Sequence, residues 1–85
     1  MIEIEEKFEE IIKKAKINDK AQIIYVQSVT GGHWGFILKF PKTKYLAFGV
    51  NGKTYCEAEN SIEEALDFLT QRIFFEDCFL KEVKK

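Results

Sequence analysis

The stretch "SVTGGHWGF", Ser28 to Phe36, gathers the only histidine, the only tryptophan, two hydroxyl side chains and three glycines of an 85-residue chain. An imidazole close to hydroxyls suggests general-base or nucleophilic catalysis. That chemistry needs a base oriented by a third group and a nucleophile within its reach. His33 has only Ser28, Thr30 and Trp34 nearby along the chain, and no Gly-x-Ser-x-Gly, HExxH, Walker or dinucleotide fingerprint occurs anywhere. The backbone of "TGG" could cradle an anion, but a strand follows it, so no helix N-terminus adds its dipole. The glycines are therefore read as a tight strand connection that uses positive φ. Trp34 has two readings. It caps the core, on one face with Phe36, Leu38 and Phe40, or it stands at a loop tip as the kind of exposed anchor that dominates interfaces.

Cys56 and Cys78 lack metal-ligand spacing, and one histidine cannot complete a zinc set. They are read as reduced thiols acting as small core residues. No metal, cofactor or enzymatic activity is expected. Net charge is −1, unevenly spread: residues 18 to 56 carry one acid and five bases, residues 57 to 85 eight acids and four bases. The acids Glu57, Glu59, Glu63, Glu64 and Asp67 suit recognition of a basic partner. The rival class is nucleic-acid binding, with Lys39, Lys42, Lys44 and Lys53 on phosphates and Trp34, Tyr45 and Tyr55 as stacking platforms. No arginine supports that patch, and the overall acidity opposes it. The first residues, "MIEIEEKFEE", are unlike a secretory signal, and no apolar run reaches the ~20 residues that span a bilayer. A soluble, cytoplasmic protein without membrane partners is expected.

The elements that would position these residues follow from periodicity. Ile4, Phe8, Ile11, Ile12 and Ala15 make one helical face over about residues 3 to 16, with acids early and lysines late, and Asn18 as a left-handed cap. "AQIIYVQSV", "GFILKF", "KYLAFGV" and "KTYCEA" read as strands, and Pro41 stops the second of them. Asn51-Gly52 predicts a two-residue type I′ hairpin. With Val50 opposite Lys53, one face carries Leu46, Phe48, Val50, Lys53, Tyr55 and Glu57. The other carries Tyr45, Ala47, Gly49, Thr54, Cys56 and Ala58, small enough to admit a helix at close range. The first face is more apolar than a water-facing sheet should be. Ser61 and Glu64 form a capping-box pattern opening a helix over about residues 61 to 82. At roughly 30 Å that helix overhangs strands of about 20 to 25 Å. Either the chain breaks near "FFEDCF" and folds back, or Phe74, Phe75 and Phe79 form a sticky surface.

One domain over residues 1–85 is expected, α+β in class. It is a two-layer sandwich: an antiparallel sheet of 3–4 strands with N- and C-terminal helices, order α-β-β-β-β-α. Both helices are placed on one side, sharing a core of Ile4, Phe8, Ile11, Ile23, Tyr25, Phe36, Leu38, Phe48, Leu66, Leu69 and Ile73. In topology, from Ile4 to Val83, this order resembles the double-stranded-RNA-binding domain. The resemblance implies a shared shape, but Glu63, Glu64 and Asp67 stand where that family grips phosphates with lysines, which argues against shared RNA binding. "GKTYCEAENSIEEALDFL" resembles a strand-and-helix segment of HicB-like antitoxin domains, in which a strand pair comes first. Size, acidity and a composition of twelve lysines and ten isoleucines against one arginine are similar to small phage or mobile-element inhibitors, including anti-CRISPR and other anti-defence proteins. The expectation is a small non-enzymatic protein-binding module. It would block a host protein with a basic, nucleic-acid-binding surface through Trp34, His33, Tyr55, Glu57, Glu59, Glu63, Glu64, Asp67, Phe75 and Phe79. Homodimerisation through the apolar sheet face or the phenylalanines is compatible with either class.

Overall fold

A computed structural model of the chain describes residues 2–5, 7–18, 20–41 and 44–81. The elements in chain order are β1 (Ile2–Ile4), α1 (Phe8–Asn18), β2 (Gln22–Ser28), β3 (Trp34–Lys39), β4 (Tyr45–Asn51), β5 (Lys53–Glu59), α2 (Ile62–Phe68) with a π-helical continuation (Leu69–Phe74), and β6 (Cys78–Lys81). The class is α+β with an antiparallel sheet and two helices, as expected. The sheet, however, has six strands, ordered β1-β5-β4-β3-β2-β6, where three or four were expected. The extra two come from the chain ends. Ile2–Ile4 pairs with β5 instead of opening the first helix, which starts at Phe8. At that helix's end the left-handed residue is Lys20 (φ 53°), not Asn18, and Ala21 N–H donates to the Ala15 carbonyl at 3.0 Å. The last helix breaks: Phe75 turns left-handed (φ 55°), and the chain folds back as β6 along β2. Of the two sequence alternatives at "FFEDCF", the break is the one realised.

The helices lie on opposite faces, so the arrangement is three layers and not two. α1 covers a cluster of Phe36, Leu38, Phe48 and Cys56 joined by Ile4, Phe8, Ile11, Ile23 and Tyr25. α2 and its continuation cover Val26, Ile37 and Ala47 with Ala65, Phe68, Leu69, Ile73 and Phe74. The single core read from sequence is thus divided, with Leu66, Leu69 and Ile73 on the far side from the other eight residues. Topology gives the reason. Following the antiparallel pairings across the sheet, β1 runs parallel to β2, and β5 parallel to β6 but opposite in direction to the first pair. Both crossovers travel the same way across the sheet. Two connections of the same, right-handed preference on oppositely directed strands must then use opposite faces. The shape implied by the double-stranded-RNA-binding resemblance is not the one found. The apolar surplus on the second face, read as a binding surface, is covered by the chain's own helix; strands buried on both sides carry such continuous apolar runs.

The hairpin register also differs by one residue. Val50 faces Thr54 and Asn51 faces Lys53, so the chain turns about Gly52 alone (φ 74°) and no type I′ pair of positive φ angles forms. Asn51 stays in the strand, and its side-chain amide donates to the Ile73 carbonyl at 2.7 Å. A slip of one residue turns every side chain of a strand over. Tyr55, Glu57 and Glu59 therefore share the α2 face with Ala47 and Gly49, while Thr54, Cys56 and Ala58 join Phe48 on the α1 face. The small residues of β4 do admit a helix closely: a Cβ on Gly49 would meet Leu69 Cδ2 at 2.7 Å and Ile73 Cγ2 at 2.8 Å.

Candidate functional site: an acidic groove and an aromatic end

The register that turns Glu57 and Glu59 toward α2 also assembles the candidate site. Alternate residues of a strand share a face, and helix positions three apart are neighbours. Glu57 and Glu59 of β5 thereby come beside Glu64 and Asp67 of α2, lining a groove of about 340 Å³ with Phe68, Gln71 and Arg72. α2 is anchored there by its cap: Ser61 Oγ accepts from Glu64 N–H at 3.1 Å, and the Glu64 carboxylate accepts from Asn60 N–H at 3.2 Å. This matches the capping box read from sequence, with the carboxylate bonding one residue earlier than the cap. Partial burial, then the charges of Glu57 and Glu64, push the Glu59 carboxyl above its ordinary range. Like charge is concentrated here, with Arg72 as the cation among the lining residues. Glu63 is exposed on α2 and does not line the groove.

The histidine loop makes a different arrangement. Ser28, 1% exposed, accepts from His33 N–H at 3.1 Å through its hydroxyl, and with Thr30 it hydrogen-bonds the Glu76 carboxylate, Thr30 Oγ1 donating at 2.7 Å. Those hydroxyls hold Glu76 below the usual carboxylate range, with a further contribution from His33. In a serine–histidine–acid relay the imidazole stands between hydroxyl and carboxylate. Here the buried hydroxyl bonds the carboxylate directly, and the imidazole stacks on Phe74 with ring centroids 5.8 Å apart. Of the loop glycines, Gly31 has positive φ (77°), as the turn reading requires.

Trp34 packs on the α1 core and is half exposed at the same time. It begins β3, packs edge-on against Phe8 at 4.7 Å, and is 46% exposed. Phe79 on β6 is 48% exposed and Phe75 75% exposed, while Tyr55 packs partly buried against the α2 cluster. The lysines are not brought together. Lys39 and Lys44 lie at the Tyr45 end of β4, and Lys53 at the Asn51 end, six residues or about 20 Å away. Lys53 pairs with Glu3 at 3.3 Å, and Lys42 lies outside the described residues. Cys56 and Cys78 are free and on opposite faces. Among the described residues no His, Cys, Asp and Glu side chains group as a metal site, and no helix is long and apolar enough to cross a membrane. Glu76 is the participant that sequence reading missed, because it lies 46 positions from Thr30 and no local pattern links them. No family model, curated protein or solved structure matches this chain.

Proposed function

We propose that this chain is a non-enzymatic protein-binding module whose groove between β5 and α2 receives basic side chains from the surface of another protein. The observation that carries the reading is the convergence of Glu57, Glu59, Glu64 and Asp67 on one groove, which Phe68, Gln71 and Arg72 also line. Such a groove offers carboxylates to lysine or arginine. A partner that itself holds nucleic acid presents that kind of surface, so occupying it would block the partner sterically, with the carboxylates in place of phosphates. The acidic last third of the chain and its phage-inhibitor-like composition agree with that role.

The test uses a labelled arginine- and lysine-rich peptide and fluorescence anisotropy. Binding at low salt should weaken steeply as salt rises. It should fall by roughly tenfold or more when Glu57→Gln, Glu59→Gln, Glu64→Gln and Asp67→Asn are combined. Equal binding by the folded quadruple variant, or none by the wild type at low salt, would sink the reading.

A further inference from the structure

We infer that the chain self-associates through the open edge of β6, two copies pairing antiparallel about a twofold axis at Phe79. β6 closes the described sheet beyond β2. Its ladder shows which main-chain groups are already used. Val29 N–H donates to the Asp77 carbonyl at 2.9 Å, and hydrogen-bonded positions recur at every second residue of an antiparallel pair. Phe79 and Lys81, opposite Gln27 and Tyr25, therefore turn their N–H and C=O groups toward β2. Those of Cys78 and Leu80 face outward.

In an antiparallel ladder, outward-facing residues must stand opposite outward-facing residues, which excludes any twofold axis that falls between two residues. Of the axes that fall on a residue of β6, the one at Phe79 alone sets Asp77 opposite the second copy's Lys81, and Lys81 opposite its Asp77. Cys78 and Leu80 then exchange N–H···O bonds with Leu80 and Cys78 of the second copy. Phe79, 48% exposed, meets its counterpart at a non-hydrogen-bonded position, where side chains approach most closely. The row Trp34, Gln27 and Phe79 on the α1 face continues through the axis into the same row of the second copy.

Sheet edges are ordinarily guarded by short strands, charged side chains, proline or bulges. β6 is four residues long and ends in Lys81, yet it also carries Phe79 and Leu80, both nearly half exposed, between charges of opposite sign. An edge complementary to itself in charge and in hydrogen-bond phase fits a second copy of this chain. The acidic groove lies toward the other edge, at β5, so this inference and the proposed function stand or fall separately.

Sedimentation equilibrium of the full chain over a broad concentration range tests it. The mass is expected to rise from 9.9 kDa toward twice that value. Leu80→Pro removes an outward N–H together with the half-exposed Leu80 side chain, at a position where an edge strand tolerates proline, and should leave a monomer with unchanged far-UV circular dichroism. Asp77→Lys and Lys81→Asp should each weaken association by roughly tenfold, and the double swap should restore it. A chain that stays monomeric throughout would overturn the inference and leave the edge to a strand of another protein. A dimer indifferent to Leu80→Pro and to the charge swap would overturn it in favour of another face.

Discussion

One carboxylate ties the glycine loop to the end of the last helix. Glu76 accepts from Ser28 and Thr30, and those bonds favour its charged form. A carboxyl depressed by folding adds stability above its unfolded pKa and loses it as pH falls through the folded value. The difference in urea midpoint between the wild type and Glu76→Gln should therefore be present at about pH 7 and vanish by about pH 2; a difference constant across that range would show that the charge plays no part. Cys56 runs the opposite way. Burial first, and the Glu57 charge second, push its thiol up to about 11, so it stays protonated and unreactive near neutrality. The core character of Cys56 was legible in its unpatterned context. The Glu76 link was not, because hydrogen bonds between distant positions leave no periodic trace in the chain.

At the scale of elements, the contact that positions the groove is the seating of the last helix on β4. Gly49 lies under Leu69 and Ile73, which leave no room for a methyl group. Gly49→Ala should cost about 1 to 3 kcal/mol through overpacking, measured by urea denaturation. An unchanged midpoint would mean that the helix shifts at no cost. The small face of β4 was readable from Ala47 and Gly49. The partner strand was not, because the chain turns about Gly52 alone and Asn51, kept in the strand, bonds the Ile73 carbonyl 22 positions away. The register that results, with Phe48 opposite Cys56 on the α1 side, turns Glu57 and Glu59 toward α2. Helix boundaries failed for a related reason. Ile2–Ile4 and Cys78–Lys81 continue helical periodicities in sequence, yet each has a sheet edge available, and strand pairing satisfies backbone groups there.

Across the whole molecule, β3 is the shared wall between two cores. Phe36 faces α1 and Ile37 faces the α2 cluster, both 0% exposed. A wall this short couples the two sides, so unfolding should be one transition. Ile37→Ala should cost about 2 to 5 kcal/mol, although Trp34, the fluorescent reporter, stands on the opposite face. Trp34 fluorescence and far-UV circular dichroism should lose structure at the same lowered urea concentration. Separate transitions would show that the faces unfold independently.

The sequence by itself determined the class: a helix-and-sheet protein with an antiparallel meander, a capped last helix, a turn at the glycines and an acidic last third. Those features are written in local periodicity, turn chemistry and composition, which act over a few residues. Only the tertiary structure decided the number of strands, the face each helix takes, the hairpin register and hence the groove. Those depend on the handedness of crossovers, on edges offered by distant strands and on bonds such as Asn51 to Ile73. Each joins segments that no local pattern relates.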